Sequence, residues 1–380
     1  MDIKTLTRRL SPYIPYVLAL VPVMLFREFT PRNELRYLTI VDEALRDSHF
    51  WSFTFEGEPY ADKPPLYFWL LMLARWLFGE HLRFVVCLFS LVPALGILAV
   101  MQRWTREYAP QYFNGRLAWW VLATCGLQLG MAVFARMDML MGFWITCALY
   151  LFWQWLHSQP DRQPRLSWYM GMALFMALFS KGPLGILIPL VATSAYLLVS
   201  RKARLLPRVW NWRVWSVLVA GCLLWWTCVY LEAGSDYINN MLFHQTVDRA
   251  VDSFHHQRPW WFYLVTTWYT TLPWGPLCIV ATAISLYKGT WRSHPLQAFF
   301  VVAFISTLTM LSLISGKLDV YLLPAYPYLV YGGMMQFCQW DGTGKAQRII
   351  VRTCHVLMAI IFVAGLLIPL LYDRIVQAFA

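Results

Sequence analysis

The stretch GEPYADKPPLYFW, residues 57–69, places an acid and a base side by side directly before a run of aromatic and apolar residues. The two charged residues are Asp62 and Lys63, and two prolines follow them. Only 13% of the 380 residues are charged, yet this acid and base stand directly before a run that is expected to meet lipid. Proline is tolerated in the first turn of a helix. The stretch therefore predicts a helix over residues 64–79 that begins immediately after the charged pair.

The composition outside this stretch indicates a membrane protein. The chain is 59% hydrophobic and 17% aromatic, whereas a soluble domain would have about 25% charged residues. A helix needs roughly 20 apolar residues to cross a bilayer, with about 17 as a lower limit. We therefore predict an all-α integral membrane protein with about eleven spans, one for each run that lacks Asp, Glu, Lys and Arg: 10–26, 84–102, 117–135, 139–160, 166–180, 182–200, 214–231, 259–287, 293–316, 320–340 and 353–372.

The cations indicate how these spans are oriented. If the N-terminus is cytoplasmic, the six inner segments contain 18 of the 31 lysines and arginines, as the positive-inside rule predicts. No A-x-A-like cleavage site follows the first apolar run, so we expect it to be a span and not a signal peptide. The net charge of +11 is scattered over short loops, which disfavours nucleic-acid binding and indicates contact with anionic lipids. All eight cysteines fall within predicted spans, so the sequence suggests neither a disulfide framework nor a cysteine-based metal site.

We expect one polytopic domain over residues 1–380, without a soluble C-terminal domain. Its first outer loop spans residues 27–83 and its fourth outer loop spans residues 232–258. In the first loop, residues 34–46 have the apolar spacing of an amphipathic helix lying on the membrane. Asn33 precedes that helix and stands where an N-cap is expected. The helix over residues 64–79 would lie on the same surface, with Asp62 and Lys63 at headgroup depth.

Further ionisable residues gather on this outer side. Arg136 and Asp138 occupy one tight outer turn, and Lys181 occupies the next. The fourth outer loop contains His244, Arg249 and His256, and Lys317 lies in the last outer turn. Ionisable groups at membrane depth are costly, so a convergent set predicts a functional site.

The residue types in this set suit the chemistry of a lipid-linked sugar phosphate. Cations at headgroup height bind a phosphate, and a lysine near a helix N-terminus does so together with backbone N–H groups. Carboxylates in the same pocket supply a base or a metal ligand. Aromatic rings such as Tyr37, Tyr60 and Tyr321 would stack on the sugar. Because the donor brings its own leaving group, a single base suffices for transfer with inversion.

Five motifs in order resemble a known enzyme family. NELRYLTIVDEAL, EPYADKPPLYFWL, ARMDMLMGFW, SKGPLGILIP and SGKLDVYLLPAYP together resemble the bacterial aminoarabinose-transferase-like branch of the protein-mannosyltransferase superfamily. The resemblance extends from about residue 27 to about residue 335. It implies a GT-C glycosyltransferase fold, a polyprenyl-monophosphate sugar donor such as an undecaprenyl lipid, and an extracytoplasmic acceptor. Lipid A or another envelope glycan is the first choice of acceptor, and a protein hydroxyl is the second.

The resemblance also implies roles for individual residues. In the family an Asp-Glu pair begins the first outer loop, whereas this chain has Asn33 and Glu34. Three alternatives follow: Glu34 is the base, Asp138 is the base, or no base is needed because the acceptor is an ionised phosphate. A divalent metal between Asp62 and His244 is a further implied feature. The residues implied to bind the donor phosphate or its sugar are Tyr60, Lys63, Lys181, Arg249, His256, Lys317 and Tyr321.

A transporter or lipid flippase is the competing class of function. Transporters bind substrate near the bilayer midplane, whereas the predicted spans here lack charges and the ionisable groups lie at one face. The sequence therefore favours a glycosyltransferase of the bacterial inner membrane, with its active site facing the periplasm. We expect its partners to be the lipid-linked donor, a glycolipid or glycan acceptor and the surrounding membrane lipids, and we expect the protein to be a monomer.

Overall fold

The computed structural model describes residues 11–110, 114–241, 257–341 and 343–379, and these are almost entirely helical. The helices of the first half are α1 Tyr13–Phe26, α2 Arg36–Asp47, α3 Leu66–Phe78, α4 Arg83–Tyr108, α5 Gly115–Ala123, α6 Gly126–Val133, α7 Met137–His157 and α8 Gln163–Lys181. Those of the second half are α9 Leu184–Val199, α10 Leu206–Val209, α11 Trp212–Asn239, α12 Phe262–Thr270, α13 Gly275–Tyr287, α14 Pro295–Leu313, α15 Tyr326–Trp340 and α16 Lys345–Phe379. Strands β1 Thr54–Phe55 and β2 Glu58–Pro59 form a two-residue antiparallel hairpin. A π-helical turn, Pro31–Leu35, precedes α2, and a 3₁₀ segment, Asp319–Ala325, precedes α15.

Several of these helices have the length and composition of membrane spans. Among the described residues, α4, α7, α11, α14 and the part of α16 up to Pro369 are long and apolar enough to cross a bilayer. The number rises to seven if two bent helix pairs each count as one span. Every one of the eleven predicted runs contains a helix, so the chain is a multi-pass membrane protein, but the number of eleven spans stays a prediction.

One bent pair is α5 and α6, whose axes differ by 65°. Its break docks on the break between α12 and α13, where the Gly126 amide donates to the Leu272 carbonyl at 2.8 Å. The indole of Trp274 also donates to Thr124 Oγ1 at 2.8 Å. Backbone groups left unpaired at a helix break are costly inside a bilayer. The α5–α6 break and the α12–α13 break therefore pair some of each other's polar groups.

The first outer loop has the two predicted helices, with a corrected entry to the first. Asn33 is not an N-cap, because it lies inside the π-helical turn and its carbonyl accepts from the Arg36 amide. The chain enters this turn from Thr30, with Pro31 as the first residue of the turn. The extra turn places the start of α2 two residues later than expected, at Arg36. The second predicted helix is confirmed as α3, which begins at Leu66 directly after the two prolines.

Apolar packing, the buried carboxylate of Glu43 and the half-buried carboxylate of Glu232 hold this loop in place. Side chains of α2 and α3 form a small core with Phe53, Met137 and Leu140, so the loop packs against the start of α7. Glu43 of α2 accepts from the Thr54 hydroxyl at 2.6 Å and from the Glu56 amide at 2.8 Å. Glu232 of α11 accepts from the Trp51 and Ser52 amides at 2.9 and 2.7 Å.

Glu232 was expected to begin the fourth outer loop, and this boundary stays a prediction. Helix α11 extends to Asn239 but is kinked at Gly234, which has φ of +76°. Glycine reaches this backbone region without a steric penalty. Glu232 before this kink and Tyr237 after it both accept hydrogen bonds from backbone amides of the first outer loop.

The turn between α8 and α9 depends on two glycines. Gly182 has φ of +118° and terminates α8 directly after Lys181. Gly185 lies so close to α8 that a Cβ atom added there would stand 2.4 Å from the carbonyl carbon of Ala177. This close approach folds α9 back against α8 and holds Lys181 at the outer end of the bundle.

Candidate functional site

The centre of the candidate site is a buried carboxylate between two cations. Asp138 Oδ1 accepts a hydrogen bond from Lys181 Nζ, and Asp138 Oδ2 lies 3.2 Å from Arg136 Nε. The side chain of Asp138 is 1% exposed and that of Lys181 is 8% exposed. A buried ion pair is retained only when its charges and hydrogen bonds are well matched, because desolvation of each ion is costly. The direct hydrogen bond between Asp138 and Lys181, both predicted site residues, therefore indicates a tightly organised site.

The ends of two neighbouring helices position this pair. Asp138 lies in the first turn of α7, and Lys181 is the last residue of α8, which packs along α7 in the opposite direction. A carboxylate at a helix N-terminus and an ammonium at a helix C-terminus are each stabilised by the helix dipole. Ser90 of α4 fixes the turn before α7, because its hydroxyl contacts both the amide and the carbonyl of Arg136 at 3.2 and 3.1 Å.

Two aromatic residues from distant parts of the chain join this centre. The Lys181 ammonium lies 4.9 Å from the ring centroid of Tyr321, which belongs to the 3₁₀ segment before α15. Tyr37 of α2 is buried in the core shared with Met137, and its hydroxyl interacts electrostatically with Asp138 and Arg136. The first, second, third and last outer connections therefore each contribute a side chain to this centre.

The stretch that begins with Tyr60 forms the rim of the site. Lys63 Nζ pairs with Asp62 Oδ2 at 3.1 Å, and the Tyr60 hydroxyl donates to the same carboxylate oxygen at 3.2 Å. Burial raises the pKa of Tyr60 far above its usual range, so its phenol stays a neutral donor. Lys63 also interacts electrostatically with Asp138, more weakly than Lys181 and Arg136 do. Lys63 therefore belongs to the same electrostatic cluster as Asp138 and Lys181.

Glu34, expected as a candidate base, has no free hydrogen-bonding position. Its carboxylate receives a bidentate hydrogen bond from Arg27 at 2.5 and 2.8 Å. It also accepts from the amide and hydroxyl of Thr30 at 2.8 and 3.0 Å and from the Ala135 amide at 2.6 Å. Five donors fill both oxygens of a fully buried carboxylate. This geometry favours a structural role, a clamp between the first outer loop and the turn before α7, over the catalytic role.

Lys317 has mainly structural contacts. Its ammonium donates to the carbonyls of Ile314 at 2.5 Å and Arg258 at 3.0 Å, and the residue is 3% exposed. Ile314 follows the last residue of α14, so this lysine caps the C-terminus of that helix. Burial lowers the pKa of Lys317, because desolvation disfavours its charged form. Its expected contact with a donor phosphate stays a prediction.

Three expected site residues, His244, Arg249 and His256, lie outside the described residues. The metal expected between Asp62 and His244 therefore rests on Asp62 alone, and that carboxylate already pairs with Lys63. In the described part of the chain, no group of three His, Cys, Asp or Glu residues is placed to hold a metal. The metal therefore stays a prediction.

Two cavities of about 340 and 380 Å³ are lined by residues other than the charged cluster. The larger is bordered by Leu25 and residues 82–85, and the smaller lies between α7 and α8. The side chains of the cluster pair with one another, Lys181 and Arg136 with Asp138, and Lys63 with Asp62.

Sequence reasoning left out three residues that shape the site. Arg136 was noted in its turn but not assigned, although it is the second cation on Asp138. Arg27 and Glu232 were read as boundary residues, yet each anchors the first outer loop. The available signal was a charge at the end of an apolar run, but that signal does not reveal which distant group the charge will pair with.

Comparison with known proteins supports the resemblance. No family model matches the chain. An undecaprenyl phosphate-alpha-4-amino-4-deoxy-L-arabinose arabinosyl transferase from Pseudomonas paraeruginosa is 30% identical over 296 residues, covering 77% of this chain and 52% of that protein. The protein of the same name from Pseudomonas savastanoi pv. phaseolicola is 29% identical over 326 residues, covering 83% of this chain and 59% of that protein. The chain thus spans about half the length of the curated relatives it matches.

Solved structures agree on the fold. ArnT from Cupriavidus metallidurans bound to undecaprenyl phosphate has a TM-score of 0.77 and 20% identity, covering 96% of this chain and 73% of that one. The Archaeoglobus fulgidus oligosaccharyltransferase tethered with an acceptor peptide has a TM-score of 0.54 and 13% identity, covering 96% of this chain and 55% of that one. The predicted GT-C membrane fold is therefore confirmed.

Proposed function

We propose that this chain, a homologue of the undecaprenyl phosphate aminoarabinose arabinosyl transferases, is a glycosyltransferase that moves a sugar from a polyprenyl monophosphate to an extracytoplasmic acceptor. The acceptor is lipid A or another envelope glycan of the bacterial inner membrane, approached from the periplasmic side. The observation that carries this proposal is the cluster of Lys63, Arg136 and Lys181 around Asp138 at one end of the bundle. The relatives' names supply the class of donor.

The charge balance of the cluster favours an anionic ligand. Its ion pairs contain three cations, Lys63, Arg136 and Lys181, and two carboxylates, Asp62 and Asp138, and Arg36 adds a cation 5.7 Å from the Tyr60 ring. The excess positive charge is complementary to the negative charge of a sugar-phosphate diester. Cation–phosphate hydrogen bonds are charge-assisted and about twice as strong as neutral ones. The donor phosphate would therefore take over part of the hydrogen bonding that Lys63 and Lys181 now give to carboxylates.

The transfer itself needs one bond to form and one to break. An acceptor oxygen attacks the anomeric carbon, while the bond from that carbon to the donor phosphate oxygen breaks. The electron pair leaves with the polyprenyl phosphate, and the configuration at the anomeric carbon is inverted. Negative charge builds up on the leaving phosphate, where the buried ammonium of Lys181 stabilises it more strongly than water would. The half-buried Tyr321 would flank the sugar, whereas Tyr37 is packed in the core and is only 3% exposed.

The identity of the base separates two kinds of acceptor. Glu34 is saturated by five donors, and Asp138 is held by Lys181 and Arg136. An acceptor that is already an ionised phosphate needs no deprotonation before it attacks. We therefore favour a phosphate group of the acceptor as the attacking nucleophile, and a neutral hydroxyl with Asp138 as base is the alternative.

Purified protein in detergent tests this proposal directly. Incubation with a polyprenyl-phosphate sugar and lipid A is expected to give a product whose added mass equals the sugar minus water. Enzymatically dephosphorylated lipid A is the matched control and is expected to give none. Transfer to the dephosphorylated acceptor alone would reject the ionised-phosphate mechanism while leaving glycosyl transfer intact.

The same assay separates an enzyme from a transporter. Detergent micelles have no second compartment, so a flippase or transporter produces no covalent change under these conditions. Product in micelles therefore supports group transfer. Absence of product with a range of lipid-linked sugars, together with movement of those lipids across sealed vesicles, would overturn the proposal.

A further inference from the structure

A groove between α7 and α8 lies far from the charged cluster. It has a volume of about 340 Å³ and is lined chiefly by Trp144, Cys147 and Tyr150 of α7 and by Tyr169 and Met172 of α8. Tyr169 and Met172 are 48% and 51% exposed, so the groove is open on its outer side. Its size falls within the range of about 300–1,000 Å³ that is typical of small-molecule sites.

The groove begins below the candidate active site and extends along α7 toward the other end of the bundle. Trp144 and Leu151 of its lining follow Asp138 by six and thirteen residues on the same helix. With a rise of about 1.5 Å per residue, the groove extends from about 9 to about 20 Å below Asp138 along the helix axis. It therefore approaches the other membrane surface, the one that the distribution of cations assigns to the cytoplasm.

Two arginines flank the groove at that surface. Arg165 Nε donates to the Tyr169 hydroxyl at 2.8 Å, and its guanidinium lies 5.4 Å from the same ring. The guanidinium of Arg103 on α4 lies 5.9 Å from the ring of Tyr150. Both cations therefore stand directly beside aromatic side chains that line the groove. Arg106 and Arg162 add positive charge nearby along the same helix ends.

One carboxylate opposes this positive charge. Glu107 accepts from Arg103 at 2.7 Å and from the Tyr150 hydroxyl at 2.5 Å, and Gln154 donates to that hydroxyl at 3.0 Å. Glu107 thus compensates Arg103 in part and fixes the ring of Tyr150 at the mouth of the groove. Arg165 bonds the neutral phenol of Tyr169, so its charge is available to a ligand that also occupies the groove.

We propose that this groove binds an anionic phospholipid of the adjacent leaflet, with one acyl chain between α7 and α8 and the phosphate between Arg103 and Arg165. An apolar slot that ends at paired cations matches a molecule with an apolar chain and an anionic head. A polyprenyl chain is a poorer match, because its only polar group is bound at the opposite end of the bundle in the proposed reaction. The site is separate from the transfer chemistry and does not depend on it.

The test uses full-length protein in phosphatidylethanolamine vesicles that contain a small fraction of phosphatidylglycerol with a photoactivatable acyl chain. Labelling is expected on the peptides that contain residues 144–151 and 165–173. One arginine near a membrane surface contributes about 1 kcal/mol to binding an anionic lipid, so Arg103→Gln and Arg165→Gln should each lower labelling roughly five-fold. Arg204→Gln, an exposed arginine in another turn of the same face, is the control and should leave labelling unchanged.

A second variant tests the groove itself. Ala173→Trp places a large side chain in the lining and should abolish labelling while both arginines remain. Competition completes the design: unlabelled phosphatidylglycerol should displace the probe, whereas phosphatidylethanolamine should not. Labelling that survives both arginine substitutions, or that polyprenyl phosphate displaces and phosphatidylglycerol does not, would overturn the proposal.

Discussion

Replacing Lys181 by methionine tests the central ion pair most directly. The substitution keeps the length of the side chain but removes the ammonium that hydrogen-bonds Asp138. Breaking a buried ion pair by removing one partner typically costs 3–5 kcal/mol. Arg136, 3.2 Å away, still compensates Asp138, so we expect a loss of about 3 kcal/mol in the free energy of unfolding, at the lower end of that range. Transfer should fall by at least about 100-fold, because the leaving phosphate loses a buried cation.

The double variant Lys181→Met, Asp138→Asn separates stability from activity. Both members of the buried pair are then neutral, and Arg136, with 21% of its side chain exposed, keeps contact with water. We therefore expect the free energy of unfolding to return to within about 1 kcal/mol of the unmodified protein. Turnover should stay at least about 100-fold low.

The measurements are equilibrium unfolding in mixed micelles and single-turnover transfer from a polyprenyl-phosphate sugar. The structural interpretation of the pair predicts that stability returns in the double variant, and the functional interpretation predicts that activity does not. Turnover of Lys181→Met within two-fold of the unmodified protein would refute the role of Lys181 at the donor phosphate. Failure of the double variant to recover stability would refute the ion-pair account.

Three further outcomes follow from the outer half of the molecule. Glu34→Gln should lower the free energy of unfolding by about 3–5 kcal/mol, because the largely buried Arg27 loses its counter-charge. The folded variant should keep its turnover. A large loss of turnover with unchanged stability would instead indicate that Glu34 is the base. Gly185→Ala should lower the free energy of unfolding by about 1–3 kcal/mol, because the added Cβ clashes with α8, and it should lower turnover by displacing the end of that helix. Gly130→Ala is the control, because no atom lies within 4 Å of the added Cβ, and it should change neither quantity in unfolding and transfer assays. Burial lowers the pKa of His81 below its usual 6.5, so the unfolded chain binds more protons than the folded chain below that pH. The free energy of unfolding should therefore fall as the pH drops from about 7 to 5. His81→Phe should flatten this dependence in unfolding titrations.

The role of Lys63 at the donor phosphate stays a prediction. Its position before α3 was predicted from two prolines and an apolar run. The structure adds that its charge reaches Asp138, on a helix that starts more than seventy residues later in the chain. The candidate site is therefore assembled by packing of the first outer loop on α7, through the core formed by Tyr37, Phe68 and Met137.

The sequence by itself determined the membrane class, the positions of the apolar helices and the two helices of the first outer loop. These features depend on composition and on periodicity within a single segment, such as the apolar spacing of residues 34–46 and the run after Pro65. The motifs around Lys63, Asp138 and Lys181 also marked which ionisable residues would meet. Local patterns suffice for such features because each helix satisfies its own backbone hydrogen bonds.

Only the tertiary structure decided what each charge pairs with. In the folded protein, Lys181 and Arg136 pair with Asp138, and five donors hydrogen-bond the carboxylate of Glu34. Lys317 caps α14, and Asn33 lies inside the π-helical turn instead of at the N-cap position. A charge near a membrane surface has several possible partners at similar sequence distance. Which one it binds depends on the angle and depth at which helices pack, and these arise from side chains far apart in the chain.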